Sequence, residues 1–278
     1  LSEQVPNPFY GIPEFVGTGL GNKNISRGNL LKPYPHFGNI DANMPYGYSW
    51  FHSLQTRVEK RMTGGLTFQL AWTYSKYMDA ITYLNDSDLR PEEVVSANDY
   101  THRFVLNGIY QLPFGRGRKF GGSVNPWIDG FLGGWQFQGW FEGQTGQALG
   151  FGNAIFRGDL ADIPIFPVSD RRAERWFNVD AGFERDNAKA LASNIRRLST
   201  RFSGIRGDGI NNFDVSLFKN FKIKERVTLQ YRLETFNTLN HVQFANPNTT
   251  PTNSAFGTIT GEKGHGQRQI TMGLKLMF

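Results

Sequence analysis

Alternation of apolar and polar residues with a period of two, sustained over runs far longer than an ordinary strand, is the feature that most limits how this chain can fold. From Tyr48 to Met62 one parity reads Tyr48, Trp50, His52, Leu54, Thr56, Val58, Lys60, Met62, and the other carries Gln55, Arg57, Glu59 and Arg61 over its second half. After Thr63-Gly64-Gly65, the residues Leu66, Phe68, Leu70, Trp72 and Tyr74 alternate with Thr67, Gln69, Ala71, Thr73 and Ser75. Successive side chains of a strand point to opposite faces, so each run is a strand with one apolar and one polar face. The paired glycines mark the turn of a long hairpin.

The same signal recurs along the chain. Phe104, Leu106, Tyr110 and Leu112 share a parity, and Trp135, Phe137 and Phe141 oppose Gln136, Gln138, Glu142 and Gln144. Phe213, Val215, Leu217, Phe221 and Ile223 oppose Asn212, Asp214, Ser216 and Lys222. Past the charged turn Lys224-Glu225, Val227, Leu229, Tyr231 and Leu233 oppose Thr228, Gln230, Arg232 and Glu234. Last, Ile270, Met272, Leu274, Leu276 and Phe278 oppose Gln269, Thr271, Gly273 and Lys275. This makes about seven strands, several of them about 11–15 residues long, whereas soluble strands run to about 5–6 and a strand tilted across a bilayer needs about 9–11.

The connections sort by length. Residues 63–65 and 224–226 are tight turns, while 81–98, 151–209 and 241–265 are long. In an up-and-down path the tight turns and the moderate connection 113–133 share one end, and the long loops share the other. Outer-membrane barrels have this asymmetry, with short periplasmic turns and long extracellular loops. A half-buried soluble sheet also alternates, but it has no reason to sort its loops. Aromatics near strand ends (Tyr48, Trp50, Trp135, Phe137, Phe278) suit the girdles of a barrel wall, and the Gln-, Glu-, Arg- and Thr-rich parity suits a wet lumen. The expected fold is all-β, an up-and-down antiparallel meander forming part of a large transmembrane β-barrel.

Composition agrees. With 32 Gly and 24 Phe among 278 residues, the chain is too rich in turn formers for a helix bundle and too aromatic for disorder. No apolar run approaches the ~18 residues of a membrane helix. The net charge of +6 comes from 30 basic and 24 acidic residues spread along the chain, so no nucleic-acid partner is expected. Without cysteine there is no disulfide framework and no thiol chemistry.

The end of the chain is its most specific segment. Ile270, Met272, Leu274, Leu276 and Phe278 resemble the terminal signal, alternating apolar residues closed by an aromatic, that the barrel-assembly machinery reads. The segments SLQTRVEKRMTGGLTFQLAWTYSKYMD (53–79), THRFVLNGIYQLPFGRGRKF (101–120), GGWQFQGWFEGQTGQ (133–147), NNFDVSLFKNFKI (211–223) and LQYRLETFNTLNHVQFANPNTT (229–250) resemble the C-terminal barrel of TonB-dependent outer-membrane receptors. The nearest group is the Oar-like branch, whose members carry a carboxypeptidase-regulatory-like N-terminal domain. NPFYG (7–11) and RGNLLKPYPHFGN (27–39) resemble a loop of that branch. The resemblance implies a barrel of about 22 strands, of which this chain supplies about seven C-terminal ones, a plug inside the barrel, and energy drawn through TonB. Signal peptide, TonB box and plug are not read in this sequence, so TonB is expected as a partner only through N-terminal parts outside it. Residues 1–45 are expected to be an extracellular-loop segment and 46–278 the barrel strands with their loops.

Motifs for chemistry are sparse. There is no H-E-x-x-H and no G-x-S-x-G, and His36, His52, His102, His241 and His265 lack ligand spacing. GRGRKFGG (115–122) lacks the G-K-[ST] ending of a phosphate loop. Asp86, Asp88, Glu92 and Glu93 cluster without EF-hand spacing and read as a solvated acidic loop. Neither an enzyme nor a cofactor is expected. Loop 151–209 is strongly basic, and its Arg171, Arg172, Arg175, Arg196 and Arg197 are candidates to contact an anionic ligand or lipopolysaccharide, since guanidinium holds phosphate or carboxylate bidentately. Within it, Ala188, Leu191, Ile195 and Leu198 predict a short helix over 187–198. The expected role is a wall segment of a receptor importing a bulky nutrient across the outer membrane. The alternatives are a structural or adhesive barrel segment and a soluble β-sheet binding module.

Overall fold

Seven long strands follow one another as antiparallel neighbours in a computed structural model of the chain, which describes residues 1–37, 40, 45–189, 194–224, 226–264 and 266–278. They are β1 (Tyr48–Thr63), β2 (Leu66–Ala80), β3 (His102–Gln111), β4 (Trp135–Gln144), β5 (Ile210–Lys224), β6 (Val227–Phe236) and β7 (Gln269–Met277). The sheet order is the chain order, with β1 and β7 at the two ends. Strands β1, β2 and β5 have 16, 15 and 15 residues, and the other four have 9 or 10. The expected 11–15 for several strands holds for β2 and β5, β1 exceeds it by one residue, and the other four fall short of it. The short strands end where the chain turns away into loops that carry their own structure.

The register fixes which side chains share a face. One row crosses β2 to β5 as Leu70, Leu106, Phe141 and Phe213. Another runs from Leu66 through Tyr110, Phe137, Leu217 and Leu233 to Met272. Between them lies Thr67, Ile109, Gln138, Ser216, Glu234, Thr271. Leu54, Val58, Leu70, Trp72, Leu229, Tyr231, Leu274 and Leu276 thus share one face, and Gln69, Thr73, Gln230, Arg232 and Lys275 the other. None of the first set is buried. Several residues break the alternation: Ile109 and Trp140 stand in polar rows, Phe218 stands on the polar face under the Arg232 guanidinium, 5.3 Å from the ring centre, and Lys219 stands on the apolar face between the rings of Trp135 and Phe221.

At one end β1 and β2 join through Gly64 and Gly65, with φ of 62° and 83°. This left-handed pair is what a two-residue hairpin turn demands. The same end carries the turn at 225–226, whose Glu225 lies outside the described residues, and the connection 112–134. That connection holds a helix the sequence did not suggest, α1 (Pro126–Leu132), capped by the Asn125 side chain on the Ile128 N–H at 2.9 Å. The three long loops leave from the opposite end.

Residues 1–45 make a separate compact unit. Short strands Gln4–Pro6 and Asn24–Ser26 pair antiparallel, and the Asn7 amide donates to the carbonyls of Leu20 and Asn22 at 2.6 and 2.7 Å. The helix expected over 187–198 falls in part outside the described residues, and the described part of it is not α-helical. A 3-10 turn spans Asn187–Lys189, residues 190–193 lie outside the described residues, and 194–198 are irregular. Leu198 instead packs against an aromatic cluster in the loops, a tertiary contact that outweighs helical spacing in so short a segment.

Candidate functional site

Little of the large apolar burial lies on the sheet. The largest buried cluster among the described residues is in the long loops: Leu149, Phe151, Ile163, Trp176, Phe177, Phe183, Ile205 and Phe256. Phe151 is its hub, with ring centres of Phe183 at 4.6 Å, Phe177 at 5.3 Å and Phe256 at 6.1 Å. Phe256 belongs to the loop after β6, so residues 145–209 and 237–268 share one core. Backbone bonds reinforce it, from the N–H of Trp176 to the Gly257 carbonyl (2.9 Å) and from Ile259 to Ala173 (2.6 Å). Close packing is extreme at Gly150, where an added Cβ would stand 1.7 Å from the Thr200 carbonyl oxygen. Gly150→Ala is expected to force the two backbones apart at a cost of roughly 1–3 kcal/mol, seen as faster thermolysin cleavage within 151–209 while the sheet stays intact.

The loop after β2 joins through buried charge. Asp99, fully buried, receives the Arg206 guanidinium at 2.5 Å and the Tyr77 N–H at 2.6 Å. Arg206 also donates to the carbonyls of Asp99 (2.8 Å) and Gly146 (3.1 Å). Asp79, at the end of β2, holds Arg201 at 2.7 Å, and Arg201 donates as well to the Val95 carbonyl. Val94–Val95 is itself a two-residue strand on β2. Glu92 accepts from the Ser199 hydroxyl at 2.6 Å and the Thr200 hydroxyl at 2.7 Å. Three loops thereby become one platform over one end of the sheet.

The basic candidates separate within it. Arg172 and Arg175 bridge each other's backbone in a tight turn, with Arg171 beside them. Arg171 is half-buried, donates to the Ile165 carbonyl at 3.1 Å, and lies over the rings of Phe166 and Trp176. Burial pushes its pKa down. Arg175 faces Asp180 at 3.6 Å. Arg196 and Arg197 sit on another stretch, fixed by the Asn85 side chain, which accepts the Arg196 N–H at 2.6 Å. Arg172, Arg175 and Arg197 are exposed. Arg201 and Arg206, which organise the platform, were not singled out in the sequence, where nothing distinguishes them from their neighbours.

A cavity of about 220 Å³ opens beside Phe151, Asn153, Glu184, Asp186 and Thr250. Its two carboxylates share Lys189, at 3.6 and 3.8 Å. Three of the four acids of the 85–93 loop have separate partners: Asp88 caps the Asn85 N–H, Glu92 ties Ser199 and Thr200, and Glu93 accepts from the Tyr48 hydroxyl. Among the described residues, no three His, Asp or Glu converge as a metal site, and His265 lies outside them. Ile270, Met272, Leu274 and Leu276 line the apolar face of β7, each more than half exposed, and Phe278 follows it.

The sheet's polar face is itself a lining. Arg103 pairs with Glu142 at 3.1 Å and Arg57 with Glu59 at 3.0 Å, amid Gln69, Asn107, Gln138 and Gln230. A family model described as an outer membrane beta barrel domain matches residues 4–271. No curated protein and no solved structure matches the chain.

Proposed function

We propose a transport role for this chain, which belongs to the outer membrane beta barrel domain family and resides in the cell outer membrane. It forms the C-terminal wall of a TonB-dependent receptor that imports a bulky nutrient, and it carries no catalytic step. The apolar face of the sheet meets lipid and the polar face lines the lumen, as in barrels of this kind. The observation that carries the receptor reading is the loop platform. Two of the three long loops share one aromatic core, and two buried ion pairs tie the loop after β2 to them at one mouth of the wall. An anchor has no need of a fixed mouth, whereas a binding mouth gains affinity from being ordered beforehand.

In this role the exposed Arg172, Arg175 and Arg197 face the outside of the cell and meet anionic groups, on the nutrient or on lipopolysaccharide. The β7 residues Ile270, Met272, Leu274 and Leu276, with Phe278, hand the wall to the barrel-assembly machinery. TonB acts through the receptor's N-terminal parts. The test is capture of the periplasmic domain of TonB by the full-length protein extracted from outer membranes. Retention is the expected result. A correctly assembled full-length protein that retains none would leave the structural or adhesive role in its place.

A further inference from the structure

We infer that α1 is an in-plane membrane anchor, seated in the phospholipid interface at the turn end of the wall with its neighbouring cations against lipid phosphates. The helix exposes Trp127 (84 %) and Phe131 (77 %), with Ile128 and Leu132 beside them. At helical spacing these four make one continuous apolar face. The opposite side is already used: the Asp129 carboxylate accepts the Arg116 N–H at 2.5 Å.

Three contacts place α1 on the lipid-facing side of the wall. The indole N–H of Trp135, an apolar-face residue of β4, donates to the Phe131 carbonyl at 2.8 Å. The Lys219 ammonium, on the same face of β5, donates to the carbonyl of Gly133, the helix C-cap. A shallow apolar groove is lined by Leu132 of the helix with Leu112, Phe114, Trp135 and Leu217. The bare helix face therefore continues a surface whose solvent is lipid, and this continuity selects the bilayer as its occupant. Charge agrees. Arg116, Arg118 and Lys119 are exposed on the same connection, and none has an ion-pair partner among the described residues. Aromatics at the apolar boundary with cations just outside it are the arrangement of an interfacial helix. Because short connections of outer-membrane barrels lie on the periplasmic side, the leaflet concerned is the phospholipid one.

The test uses the full-length protein in vesicles of phosphatidylethanolamine and phosphatidylglycerol. Nitroxide labels are placed at Phe131→Cys or, on the same connection, at exposed Ser123→Cys; this chain brings no cysteine of its own. The label at 131 is expected to collide several-fold more with oxygen than with a water-soluble nickel complex, and the label at 123 to show the reverse. Equal access of nickel to both sites overturns the inference, because the helix then faces water. Shielding of 131 from both reagents overturns it in favour of a protein partner or a second copy. Replacing Arg116, Arg118 and Lys119 together by glutamine is expected to shift the 131 label toward nickel; an unchanged ratio removes the phosphate contacts from the proposal.

Discussion

Replacing Arg206 by methionine is expected to open the loop platform while leaving the sheet in place, at a cost of about 3–5 kcal/mol. The size comes from what remains behind. Asp99 is fully buried at the rim, and Arg206, with a side chain 14 % exposed, is its ion-pair partner at 2.5 Å. Methionine fills much of the same space but leaves the carboxylate with the Tyr77 N–H as its close donor. The carbonyls of Asp99 and Gly146 lose a donor too. An uncompensated buried charge is relieved most cheaply by exposure, and the segment that can move is the loop, since Asp99 is tied to β2. Limited proteolysis of the full-length protein in vesicles should then cut within 145–209, where the parent resists. Exposed Arg197→Met is the control and should change nothing measurable. Adding Asp99→Asn to Arg206→Met should restore part of the resistance, because the two sites act as one. If Arg206→Met resists like Arg197→Met, the ion pair does not hold the platform.

The strands were legible because a pleated chain has only two faces, and a wall with different solvents on each must alternate. Residues such as Leu70 and Gln69, or Leu274 and Lys275, could therefore be assigned to sides before any register was known, and the register agrees. The alternation misleads at Ile109 and Trp140, which stand in polar rows, and at Phe218 and Lys219, whose places depend on Arg232 across the sheet and on Trp135 and Gly133 at its edge. The loops obey no period. Phe151, Phe177, Phe183 and Phe256 meet from segments far apart in sequence, so their joint burial is a tertiary fact. The abundance of Phe between 151 and 202 is the one trace of this core in the sequence. The helix α1 has an ordinary signature in Asn125-Pro126 before it and Gly133-Gly134 after it, but its 7 residues are too few for an apolar period to stand out.

Arginine placed at Leu106 is expected to cost about 2–4 kcal/mol of wall stability, and arginine placed at the next residue, Asn107, close to nothing. The pair separates face from position, since both sites lie on central strand β3 and differ only in side. Leu106 stands in the row Leu70, Leu106, Phe141, Phe213. On β2 the apolar parity runs unbroken from Leu66 to Tyr74, and Leu70 marks its midpoint, so the Leu106 side chain reaches the depth at which a guanidinium is least able to reach water. Asn107 stands in the row Gln69, Asn107, Trp140, Asp214, where a wet lumen hydrates the charge. The expected difference corresponds to about 30- to 700-fold in the unfolding equilibrium, read by urea titration of the full-length protein in vesicles and as a smaller assembled fraction in outer membranes. Arginine at Tyr74, toward the rim, should fall to about 0–1 kcal/mol because the charge can snorkel to the interface. A larger loss from Asn107→Arg than from Leu106→Arg would mean that the polar parity faces lipid, which would reverse the assignment of both faces of the wall.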